Sequence, residues 1–173
     1  YSDDPHTPFS KIDGMYDRTV VVNGFSKAFA MTGWRLGYAM GPERIIKLMT
    51  KIHQYGIMSS PTTSQFAAIE ALKNGDEDIK MMTDEYNRRR RYIYNGLKSI
   101  GIDSFEPEGA FYIFPKIDVK KFNITNDTQF ALDFLKEKRV LLIPGSGFNW
   151  KQPDHFRVVY LPRIEVLEDA CDG

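Results

Sequence analysis

Lys27 follows a short β-branched run, Thr19-Val20-Val21-Val22, and a turn, Asn23-Gly24-Phe25-Ser26-Lys27. Arg35 comes eight positions later, inside Gly33-Trp34-Arg35-Leu36-Gly37. A lysine amine forms an imine with an aldehyde and can later carry a proton, once its pKa is lowered. An arginine presents a planar fork that matches phosphate oxygens, and neighbouring glycines let a bulky anion approach the backbone. Ser26 can add a hydroxyl donor to the same anion. A lysine and an arginine so placed are what an imine-forming amine with a phosphate-binding partner would look like.

Regular elements must hold these groups. Residues 19–23 read as a buried strand and 36–40 as a second, ended by Gly41-Pro42. Residues 43–55 are helical, with Ile45, Ile46, Leu48, Met49 and Ile52 on one side. Ser59-Ser60-Pro61 signals a helix start, with serine as cap, and Asn74-Gly75 a stop. Ile79, Met82, Tyr86, Ile93, Leu97 and Ile100 form the stripe of one long helix, 78–99, which Gly101 ends. Beyond it the pattern predicts a strand 110–115, a helix 127–138, a strand 140–143, a loop 144–154, a strand 156–160 and a last helix from 164. Alternating strands and helices give an α/β or α+β class. The expected division is 1–55, a connecting helical stretch 56–100, and a compact part 101–173.

Composition narrows the function. Lys plus Arg and Asp plus Glu are both 23, so no global field favours nucleic acid or an anionic membrane. No apolar run approaches the roughly 18–20 residues of a membrane span. The single cysteine, Cys171, leaves no intramolecular disulfide and fits a reducing, cytoplasmic setting. His6, His53 and His155 lack metal-site spacing. The run Arg88 to Arg91 reads as the solvated face of the long helix. The chain opens without Met on Tyr1-Ser2-Asp3-Asp4-Pro5 and closes inside a helical pattern, so it reads as a piece of a longer protein.

The stretch from Asn23 to Tyr38 closely resembles the cofactor-lysine motif of pyridoxal-phosphate (PLP) enzymes of fold type I, class I/II aminotransferases. Its wording is most similar to the bacterial aspartate/aromatic branch. That resemblance implies the C-terminal part of such an enzyme: a remnant of the large, PLP-binding domain plus an α/β small domain. It implies amino transfer from an amino acid to a 2-oxo acid, by a cytoplasmic homodimer, without nucleic acid, membrane or metal. Lys27 would hold PLP, with Arg35 and Ser26 on its phosphate. Tyr1 stands where the family's tyrosine meets the ring oxygen, while the aspartate of that motif would fall before residue 1. Arg157 would hold the substrate α-carboxylate, and Phe111 or Tyr112 would line the side-chain pocket, on the strand after Gly109. Pro144-Gly145-Ser146-Gly147-Phe148 resembles a gating loop. One departure stands out: Gly24 occupies a position where many relatives carry a serine. The alternatives are a β-eliminating C–S lyase on the same scaffold and a non-catalytic truncated module. With half of the cofactor site absent, the isolated 173 residues are expected to be a poor enzyme.

Overall fold

A computed structural model describes residues 1–173 except Asp3, Pro5 and Gly173, and leaves the side chain of Asp172 undescribed. The chain forms two compact units, Asp3–Met82 and Tyr1–Ser2 with Thr83–Gly173.

The first unit is built on an antiparallel ribbon. Strand β1 (Val21–Gly24) pairs with β2 (Gly37–Met40), Val21 opposite Met40 and Gly24 opposite Gly37. Between them lie the single-turn helix α1 (Phe25–Ala28) and a 3-10 turn, Thr32–Trp34. Helices α2 (Glu43–Gly56) and α3 (Thr62–Asn74) follow. The expectation of a buried strand at 19–23 is corrected. Val22 is 74% exposed, because the ribbon has two strands and no second layer lies over Val22 among the described residues. The apolar side of α2 is likewise only half-covered, at Ile45 and Ile46, while Leu48 and Ile52 face outward. No serine caps α3; Pro61 occupies the cap position, and the Ser60 carbonyl instead accepts a bond from Gln65 Nε2. The core here is small: Phe25, Met31 and Ala68, flanked by Phe29, Leu36, Ala67 and Ala71.

Helix α4 (Asp76–Ser99) runs from the first unit into the second. Its end is a Schellman motif. Gly101 takes φ +81°, its N–H reaches the Lys98 carbonyl at 3.1 Å, and the Ile102 N–H reaches Leu97 at 3.0 Å. The second unit then folds as a three-stranded antiparallel sheet in the order β3 (Tyr112–Ile113), β5 (Phe156–Val159), β4 (Ile143–Pro144), with α5 (Asp127–Lys138) and α6 (Ile164–Asp172). Strands β3 and β4 are shorter than predicted, and residues 140–142 are not strand. Helix α5 has the predicted bounds because Asn126 caps it, accepting the Gln129 N–H at 2.9 Å. Two clusters form its core: Ile93, Ile113, Tyr160 and Leu167, and Ile117, Ile124, Leu142 and Phe156.

The arginine run is also corrected. Arg90 is only 5% exposed, on the inner side of α4, and donates to Glu106 Oε1 and the Pro107 carbonyl, both at 2.8 Å, and to Asn87 Oδ1 at 3.0 Å. Arg88 and Arg89 both clasp Glu85, and Arg89 also bonds the Leu161 carbonyl. Consecutive helical residues point in different directions, so a run of like residues does not share one face.

Candidate active site

The first group of predicted residues sits on the loop that joins β1 to β2. Gly24 and Gly37 face each other at its neck, and a Cβ on Gly37 would stand 3.0 Å from the Asn23 carbonyl oxygen, a tight approach that favours glycine there. Phe25 and Met31 point inward onto α3 and draw the loop down on it. The Phe25 carbonyl accepts both the Phe29 and Met31 N–H groups at 3.3 Å, and the Ser64 hydroxyl on α3 donates to the Trp34 carbonyl at 2.7 Å. The anchored loop turns Lys27 outward. No hydrogen bond or ion pair engages its amine among the described residues.

Arg35 is held in the left-handed region, φ 51° and ψ 47°. Such a backbone costs a non-glycine residue about 1–2 kcal/mol and recurs at functional sites. Its Nη1 donates to the Thr32 carbonyl at 3.0 Å, and the Thr32 hydroxyl donates to the Ser26 carbonyl at 2.8 Å. Thr32 therefore ties the arginine to the serine beside Lys27. Sequence reasoning did not single out Thr32, although it lies between the two within the motif.

The second group sits on the sheet of the other unit. Tyr112 pairs with Val159 on β5, so its side chain shares a face with Arg157, two residues before Val159. The Arg157 Cζ lies 4.4 Å from the Tyr112 ring centroid and 4.7 Å from that of Phe148. Its Nε is the one buried side-chain nitrogen or oxygen without a hydrogen-bond partner among the described residues. A buried orphan donor costs about 1–3 kcal/mol, so the arrangement is poised for an anion. Phe111 turns the other way, packing on the first core cluster and edge-on to Tyr86 at 5.0 Å. Gly109 has open space where a Cβ would be, and the left-handed residue of this turn is Ala110, φ 62°.

Tyr1 belongs to this second unit, not to the loop of Lys27. Its ring lies 5.2 Å from the Arg90 Cζ, and its hydroxyl donates to the Ala110 carbonyl at 2.7 Å. Tyr160, fully buried, donates to the same carbonyl at 3.1 Å. Burial raises the pKa of both phenols, so both stay protonated donors. At the other end of β5, just before its first residue, Asp154 accepts from Trp150 Nε1 and pairs with His155 Nδ1, each at 2.8 Å. Burial opposes its ionised form, but these two partners hold its carboxyl below the usual carboxylate range.

The fold is that of the fold type I aminotransferases. The structure superposes on the aromatic aminotransferase of Pyrococcus horikoshii with a TM-score of 0.89 at 39% identity, over 99% of this chain and 46% of that one. The model of the family described as aminotransferase class I and II matches residues 6–173, and the chain belongs to that family. It is 45% identical over 168 residues to YugH of Bacillus subtilis, named as a candidate aminotransferase, covering 97% of this chain and 43% of that protein. It is 40% identical to the aspartate aminotransferase of Pyrococcus abyssi, covering 99% of this chain and 44% of that protein. The chain thus spans less than half the length of the relatives it matches.

Proposed function

We propose that this chain carries the lysine-bearing and carboxylate-binding parts of a PLP-dependent aminotransferase, which moves an amino group from an amino acid to a 2-oxo acid. The observation that carries the reading is the loop between β1 and β2, on which Ser26, Lys27 and Arg35 stand together within a family-matched sequence. The residues fit the cofactor by the chemistry of their donor set: an uncommitted outward-facing amine for an aldehyde, and a hydroxyl and a fixed guanidinium for a phosphate. When bound, PLP supplies the electron sink that lets a Cα–H bond of the substrate ionise.

In this reading Lys27 holds the cofactor in the resting enzyme and moves the proton at the substrate Cα. Arg35, fixed by Thr32, and Ser26 hold the phosphate. Tyr1 is the residue assigned to the cofactor's ring oxygen. Its bond to Ala110 would then be exchanged or shared in the loaded enzyme. Arg157 holds the substrate carboxylate and, with Tyr112 beside it, orients the amino acid so that the breaking bond is correctly aligned. The divisions 1–55, 56–100 and 101–173 then correspond to the end of the large domain, connecting helices and the small domain. The full protein is a cytoplasmic homodimer in this reading, which the family likeness supports.

The experiment is direct. Full-length protein with PLP is given aspartate or an aromatic amino acid and 2-oxoglutarate, and glutamate formation is followed. Glutamate is the expected product. Pyruvate and ammonia from cystathionine, without amino transfer, would replace this reading with a lyase.

A further inference from the structure

The Arg157 side chain owes part of its surroundings to the turn Gly145–Phe148. Gly145–Phe148 forms a 3-10 turn ended by Asn149 in the left-handed region, φ 60°. It is fastened at two places. The Gly145 N–H donates to the His155 carbonyl at 2.8 Å, beside β5, where a Cβ on Gly145 would stand 2.8 Å from that same oxygen. The second fastening is to α5. Asp127, its first residue and only 8% exposed, accepts the Ser146 N–H on Oδ2 at 2.8 Å and the Ser146 hydroxyl on Oδ1 at 2.9 Å. Thr128 lies next to the pair, its hydroxyl 3.5 Å from Asp127 Oδ1 and 3.4 Å from the Ser146 oxygen. Two residues on, the turn delivers Phe148, whose ring lies edge-on to Phe114 at 5.9 Å and 4.7 Å from the Arg157 Cζ.

We propose that Asp127 is a positioning residue for Arg157: its carboxylate fastens Ser146, the turn so fixed holds Phe148 against the guanidinium, and the carboxylate-binding fork is thereby pre-organised. The inference rests on the reading that Arg157 binds the substrate carboxylate. Physically, an arginine carries large rotamer freedom, and a ring held against its face removes that freedom before the ligand arrives. A buried carboxylate bonded to both a backbone N–H and a hydroxyl of one residue is a rigid link, and the helix N-terminus favours its charge. Without it, the turn keeps the Gly145–His155 bond and Phe148 its edge-on contact with Phe114.

The test uses full-length protein with PLP and reads two quantities: KM and kcat for the amino acid and the 2-oxo acid, and the Kd of 3-phenylpropanoate, a carboxylate with neither amino nor oxo group. Arg157→Ala comes first. If it leaves the Kd unchanged, the carboxylate assignment fails and the latch has nothing to position. If it weakens binding, Asp127→Ala should raise KM for both substrates and the Kd by about three- to tenfold, the cost of ordering one rotamer-rich side chain, with kcat little changed. Asp127→Asn, which keeps one acceptor for the Ser146 N–H, should fall between. Phe148→Leu should reproduce the effect, and Asp127→Ala added to it should do nothing more, since the two act in series. Fully additive effects, or an unchanged Kd in Asp127→Ala, would overturn the latch while leaving the Arg157 reading intact. Should Asp127→Ala fail to fold, Asp127→Asn and Ser146→Ala carry the same cycle with Phe148→Leu.

Discussion

Replacing Arg157 by lysine keeps the charge and removes the fork, which isolates what the geometry contributes. In the structure Nε is buried and unpartnered, and two rings lie within 4.7 Å of Cζ. A carboxylate bound to the fork makes two charge-assisted bonds, and an ammonium at the end of a flexible stem reproduces one of them. The lost bond is worth about 1.5–3 kcal/mol. The poorer ring contact of an ammonium adds about 0.5–1 kcal/mol. Together the loss is about 2–4 kcal/mol, or roughly thirtyfold to a thousandfold in kcat/KM at 1.36 kcal/mol per decade. Steady-state kinetics with varied amino donor and varied 2-oxo acceptor would measure it. Because both substrates carry the carboxylate, both must suffer to a similar degree. A loss under about threefold, or one confined to a single substrate, would refute the assignment.

Two further predictions concern the scaffold. Arg90→Met removes the donors to Glu106, Pro107 and Asn87. Half-exposed Glu106 is re-solvated while the Pro107 carbonyl loses its charged donor, so the loss should be about 2–3 kcal/mol and the melting temperature should fall by roughly 4–12 °C; a drop of a degree or two would show the cluster to be dispensable. Glu85 is held at about 2, below its ordinary 4.5, by hydrogen bonds from Arg88 and then Arg89. Its folded-state value is depressed, so its contribution is complete above pH 4.5 and is lost as pH falls through about 2. Glu85→Gln should therefore flatten the acid side of the stability profile between those values, measured by urea unfolding at stepped pH, and an unchanged slope would contradict the pairing.

Much of this arrangement is legible in the sequence, for local reasons. The glycines at 24, 33 and 37, the β-branched run and the periodic helices carry their own signals, and the bounds of α5 follow from its pattern. The alternation from Phe111 into β3 separates Phe111, which faces the core, from Tyr112, which faces Arg157, once the pairing with β5 is known. Other features depend on contacts distant in sequence. Asp127 and Ser146 are nineteen positions apart, and nothing local marks the pair. Arg90 is hidden because Glu106 and Pro107 come back over α4, which a run of four arginines does not foretell. The exposed Val22 shows the converse: a strand's composition reports the burial it is suited to, and β2 alone does not provide it.

The central claim is that Lys27 is the cofactor lysine. The measurement is borohydride reduction of the full-length protein after incubation with PLP, followed by peptide mass mapping, with Lys27→Ala in parallel. The account predicts one stable adduct, confined to the peptide that contains Lys27 and absent from the variant. Labelling scattered over surface lysines, or an adduct that survives in Lys27→Ala, would contradict it.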